Sequence, residues 1–131
     1  MKENKYRVTM TESQLRLMAM ALDDWHRFVC GDMQMWNATA FLQNRKEVFA
    51  GLRNLERVGF PELSNGAAYD WAGNGITNKE HKKAATMSYM LYREVEHYFA
   101  KQHPFSGSVL LHPTMLCKDQ GPLIKIEEVT E

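Results

Sequence analysis

Apolar residues recur along the chain in three helical rhythms. Leu15, Met18, Leu22, Trp25 and Val29 fall at intervals of three and four, which predicts a helix over residues 12–30 with one apolar stripe. Ahead of it, Thr11-Glu12-Ser13-Gln14 is a capping-box signal, and Met10 and Leu15 are spaced for a hydrophobic staple. Gly31 closes this helix, as glycine does just beyond a helix end. Trp36, Phe41, Val48, Leu52, Leu55 and Val58 carry a second stripe, predicting a helix over residues 32–58 that Asp32 starts and Gly59-Phe60-Pro61 stops. Unbroken, that helix would span roughly 40 Å, and Gln43-Asn44 is the point at which it would break. The short link at Gly31-Asp32 makes the first two helices an antiparallel hairpin. Ala84, Met87, Leu91, Val95 and Tyr98 trace the third helix, over residues 78–101.

Near the two ends the period changes from helical to alternating. Residues 6–10, 114–117 and 123–126 read as short strands, the last two around the turn Lys118-Asp119-Gln120-Gly121-Pro122. The expected fold is mainly α with a β component (α+β): an antiparallel three-helix bundle with a small antiparallel β-sheet formed from both termini. It is expected as a single domain across residues 1–131.

Residues 61–83 break this regularity. The stretch is rich in Gly, Asn and aromatics and is long for a connector, and ordered loops of that length are often functional. Its end reads as a helix start capped by Thr77, with Glu80 completing a capping box, while Lys79, His81, Lys82 and Lys83 put cations where the helix dipole favours acids. Free backbone N–H groups at a helix start, a Gly-Asn-Gly approach and nearby cations suit an anion. The expected ligand site is therefore Tyr69 and Trp71 stacking on a base, with Gly73, Asn74, Gly75 and Asn78 supplying backbone donors. Lys79, His81 and Lys82 would receive phosphate, assisted by Arg93. The plainer reading is that Tyr69 and Trp71 plug the bundle end and the lysines form a wet face.

Composition narrows the rest. Sixteen basic and sixteen acidic residues balance, so no general field draws the chain to DNA or an anionic membrane. Apolar runs are far too short to span a bilayer. With no signal-peptide pattern, Cys30 and Cys117 are expected as reduced thiols in a cytosol. Nine Met with six Phe, five Tyr and three Trp offer more apolar surface than three helices readily hide, which points to a homo-oligomer. Phosphate-loop, nucleophile-elbow, His-Glu-x-x-His and Cys-x-x-Cys motifs are missing, so a nucleophilic enzyme has little support; Cys30 near His26 reads as a buried thiol. Asp23-x-x-His26 and Glu94-x-x-His97 have the spacing of metal ligands on a helix face, with Glu47 and Glu56 as further carboxylates. They define the rival reading, a metal-dependent enzyme, although local hydrogen bonding explains such pairs more simply. No cofactor is expected.

The chain also resembles small phage- and prophage-encoded proteins. The resemblance rests on residues 10–17 (MTESQLRL), Asp24-Trp25-His26-Arg27-Phe28, Pro61-Glu62-Leu63, Tyr69-Asp70-Trp71-Ala72-Gly73, Tyr92-Arg93-Glu94-Val95-Glu96-His97 and the closing Gly121-Pro122-Leu123-Ile124-Lys125-Ile126. It lends context rather than an activity: a phage accessory protein in the host bacterial cytoplasm, with anti-defence as the implied role. In that context a non-catalytic sponge for a nucleotide-like anion, such as a cyclic nucleotide immune messenger, is the leading expectation. A module that blocks a host protein through exposed Met and aromatic surface is a third.

Overall fold

The computed structural model describes residues 3–63, 68–102 and 124–130. Four helices follow one another: α1 (Glu12–Val29), α2 (Trp36–Thr39), α3 (Arg45–Gly59) and α4 (Lys79–Gln102). The capping box at α1 forms as the sequence predicts. The Thr11 amide donates to Gln14 Oε1 at 2.9 Å, and the Gln14 amide donates to Thr11 Oγ1 at 3.2 Å. At α4 the capping residue is Asn78 and not Thr77: Asn78 Oδ1 accepts the His81 amide at 2.9 Å.

α1 and α4 are the pair that holds the core. They run antiparallel, since Arg16 lies over the Phe99 ring at 4.0 Å while the other end of α1 meets the start of α4. Ala19, Val95 and Phe99 are buried between them, flanked by Leu15, Met18, Tyr92 and Tyr98. At the opposite end Cys30, Ile76 and Ala85 form a second buried cluster against Val29 and Tyr69. Gly31 makes that end close-packed. Its φ of +100° belongs to the left-handed region, and a Cβ there would lie 2.5 Å from Leu63 Cδ1.

Two expectations are corrected. The predicted helix over residues 32–58 is two helices: residues 32–35 are not helical, α2 lasts one turn, and residues 40–44, which include the expected break point Gln43-Asn44, interrupt before α3. The apolar spacing is sound, but the start at residue 32 is not, because Asp24 sets where α2 begins. Its carboxylate accepts the Asn37 and Ala38 amides, both at 2.9 Å, and so fixes a separate helix start behind Met35, whose φ is +49°. The bundle also lacks its third member, because α1 packs on α4 and α2 while α3 has no buried residue.

The terminal sheet is the second correction. Among the described residues there is no strand. Residues 6–10 are irregular, with Tyr6 and Val8 strongly exposed, and residues 124–126 are irregular too. The 114–117 strand and Leu123 lie outside the described residues. Alternation near the C-terminus was a true signal of burial, misread as a signal of pairing. Ile124 and Ile126 rest on the Ala19–Val95–Phe99 core while Lys125 and Glu127 stay exposed, and no neighbouring backbone is needed for that.

Candidate functional site

The loop before α4 is built around a carboxylate of its own. Asp70 accepts the Ala72 amide, the Asn74 amide and the Asn74 side-chain amide, each at 3.0 Å, while its carbonyl accepts the Gly73 amide at 2.9 Å. These bonds, led by the Asn74 amide, hold the Asp70 carboxyl below its ordinary range. Of the donors that the sequence suggested for a ligand phosphate, Gly73 and Asn74 are thus turned on Asp70. Gly73 and Gly75 make the tight path passable, with φ of +73° and +95°.

The predicted site residues fall into three groups. Tyr69 and His81 belong together: the rings meet edge to face at 6.2 Å, Phe60 lies beside both, and the Tyr69 hydroxyl donates to Glu62 Oε1 at 2.8 Å. The His81 Nε2–H donates to the Val29 carbonyl, tying α4 to the end of α1. Trp71 joins Arg93 through Tyr89, a residue that no pattern in the chain singles out. Trp71 is tilted by 30° over Tyr89 at 5.2 Å, and Arg93 reaches the Tyr89 hydroxyl at 3.5 Å. Gly73 and Asn74 lie with Lys82, whose Cγ is 3.5 Å from where a Gly73 Cβ would be. Lys79, Lys82 and Asn78 are exposed. Tyr69 and Trp71 therefore stack on different partners and do not form the two sides of one base slot.

The other candidate groups resolve locally. The His26 Nδ1–H donates to the Ala85 carbonyl at 2.9 Å, and burial lowers its pKa below 6.5. Burial, then the nearby Asp70, pushes the Cys30 thiol up to about 11, the reverse of an activated nucleophile. Asp23 holds Arg27 Nε at 3.0 Å and accepts the Asn37 side-chain amide at 3.0 Å. Glu56 accepts the Met33 amide and the Gln34 side chain, both at 3.0 Å, and Glu94 and His97 are half-buried on α4. Among the described residues, no three His, Cys, Asp or Glu side chains gather in a way that could hold a metal ion. Nor is any described helix long and apolar enough to cross a membrane.

A feature that sequence reasoning missed lies on the far side of α1. Leu17, Met20, Ala21, Trp25 and Phe28 face Met35, Ala38 and Phe41 across an open groove of about 570 Å³. Its walls are apolar yet wet: Leu17 is 66% exposed, Trp25 54% and Phe41 82%. Asp24 sits in the floor, and both its oxygens are occupied by α2 amides. The available signal was a second row on α1, Leu17, Ala21 and Phe28 with the polar Asp24 among them, offset from Leu15, Met18 and Val29 on the side of α4.

No family model, no curated protein and no solved structure matches the chain.

Proposed function

We propose that this chain is a non-catalytic binding module that docks an amphipathic segment of a protein in the groove between α1 and α2. The observation carrying this reading is the groove itself: contiguous large apolar side chains, exposed on both walls, with the one lining carboxylate already consumed by hydrogen bonds. Scattered apolar residues on a surface are ordinary, but a concave run of Leu, Met, Trp and Phe is the usual form of a helix-binding site. Within the phage context that the resemblance implies, such a module acts by holding another protein rather than by turning over a substrate. A photo-reactive amino acid at position 41, on the groove's exposed lip, tests it. Irradiation in the host cytoplasm should join position 41 to another polypeptide, and Trp25→Glu should abolish the adduct. Adducts with solvent alone would defeat the reading.

A second reading keeps the nucleotide-like anion, and Trp71 favours it. Its indole is 43% exposed while its stacking on Tyr89 holds the ring in place, which is how a base platform is built. Lys79 and Lys82, in the first turn of α4, supply exposed cations. Opposing it, Asp70 takes up the Ala72, Gly73 and Asn74 amides and Glu62 lies against Tyr69. A ligand here would therefore rest on stacking and lysines, not on the loop amides.

A further inference from the structure

We infer that residues 36–44 form a hinged arm, held bent by Asp24 and able to straighten into one helix with α3. Straightening withdraws the groove's α2 wall. The hinge goes beyond the groove reading and stands or falls whatever the groove holds. Residues 36–50 contain no Gly or Pro, and the chain keeps helical turns almost to α3. Ala40 is right-handed helical at φ −59° and ψ −23°, and the Phe41 and Leu42 amides donate to the Ala38 and Thr39 carbonyls at 3.3 and 3.0 Å. The bend follows at Gln43 and Asn44, both exposed, where Asn44 takes φ −100° and ψ 43° and its side chain makes no capping bond. Asn and Gln weaken a helix less than Gly and far less than Pro, so a bend there draws on contacts made elsewhere.

Those contacts lie at the arm's far end. Asp24 accepts the Asn37 and Ala38 amides at 2.9 Å and the Asn37 side-chain amide at 3.0 Å. Trp36 is folded onto Phe49, edge-on at 4.8 Å, and Arg45 donates to the Trp36 carbonyl at 3.3 Å. Met35 carries the strain of this arrangement: at φ +49° and ψ 62° it is left-handed, a conformation that long side chains rarely adopt. Straightening would free Met35 and put Phe41 in line with Val48, Leu52 and Leu55. It would also give helical acceptors to the amides of residues 43–47, which donate to nothing among the described residues. Against that, it breaks the Asp24 bonds and moves Trp36 roughly 20 Å from Phe49 along the helix axis. Two arrangements thus compete, and the groove exists only in the bent one, because Met35, Asn37, Ala38 and Phe41 are one of its walls. An occupant touching both walls selects the bend, and loss of the Asp24 bonds undoes the site.

Amide hydrogen exchange, read by NMR on the full chain, tests the hinge at residues 43–47, while a Trp36–Phe49 NOE reports the bend. Gln43→Ala combined with Asn44→Ala changes only exposed positions and favours the straight helix. It should slow exchange at residues 43–47 about threefold or more and weaken the NOE. Adding Met35→Gly, which accepts a positive φ freely, should reverse both changes by easing the bent form. Asp24→Ala, which opens the latch, should remove the NOE and protect the same amides while residues 36–44 keep helical chemical shifts. Fast exchange and an intact NOE in the alanine pair overturn the hinge. So does an Asp24→Ala protein in which residues 36–44 lose their helical shifts without any gain in protection, because the arm then merely detaches.

Discussion

The α1–α4 pair and the α2–α3 segment begin from the same kind of amphipathic pattern and end in opposite states. On α4, Val95 is fully buried and Phe99 nearly so, because α1 runs antiparallel beside them and a staple fixes each end. At one end His26 and His81 donate to carbonyls of the facing helix; at the other Arg16 covers Phe99. α3 has the cleaner alternation of apolar and charged rows, yet not one of its residues is buried. Periodicity states which face wants cover, and only the rest of the chain decides whether it is covered. On the proposed reading the contrast also locates function: apolar surface consumed by α4 stabilises the fold, whereas the groove keeps Leu17, Trp25 and Phe41 exposed.

The largest expected effect separates the two regions directly. Phe99→Ala removes a buried ring from the α1–α4 core and should cost about 3–5 kcal/mol. Leu55→Ala, made in an exposed row, should change the stability of dilute protein by no more than about 0.5 kcal/mol. Urea denaturation of both variants at low concentration measures this. Equal losses would mean that α3 is part of the core after all. If Leu55→Ala instead lowers the melting temperature only in concentrated protein, its burial is between copies.

What the sequence made legible follows the same division. The ends of α1 and α4 could be read to within a residue, because caps and breakers are local: Thr11 with Gln14, and Gly31. The break between α2 and α3 falls at Gln43-Asn44, where the sequence marks it, but the start of α2 could not be read, since it is set by Asp24, more than ten residues away, accepting the Asn37 and Ala38 amides. Ile124 and Ile126 show a further limit, as alternation reports which side is buried and is silent about what buries it. At the loop before α4, the sequence suggested a turn able to hold an anion. That Asp70, inside the same turn, is the carboxylate it holds is a matter of geometry. Tyr89 was invisible because its importance comes entirely from standing between Trp71, His26 and Arg93.

A smaller effect should appear with pH, again only in the α1–α4 half. Burial holds the pKa of His26 below its ordinary 6.5 while its Nδ1–H is given to Ala85. The folded protein therefore keeps His26 neutral, and the unfolded chain takes up a proton as pH falls through 6.5. The unfolded state then binds more protons, so stability is full above that pH and declines below it, by at most about 1.4 kcal/mol per pH unit. Glu96 has the opposite sign: burial raises its pKa above 4.5, so acid favours the folded state there, in a lower window. Denaturation between about pH 7.5 and 5.5 should show the decline, and His26→Gln should flatten it. An unchanged slope in that variant would assign the decline to another group.

The smallest effect tests the boundary between the regions, where Trp71 belongs to neither. Its ring is supported by Tyr89 from the packed half and is 43% exposed on its own account. Truncating a plug of the bundle end would cost several kcal/mol, as core truncations do. A half-exposed ring with one aromatic partner is worth less, and Trp71→Ala should lower stability by about 0.5–1.5 kcal/mol. Lys82→Ala, beyond the Gly73 turn and exposed, should leave the melting temperature unchanged. Against cyclic dinucleotides the two variants separate in another way. If Trp71 is a base platform, its loss should weaken binding by about 1–3 kcal/mol at any salt concentration. Loss of Lys82 should matter at low salt and fade as screening sets in. A Trp71→Ala protein that unfolds readily, beside a Lys82→Ala protein without a binding defect, would make the ring a plug and leave the groove as the candidate binding surface among the described residues.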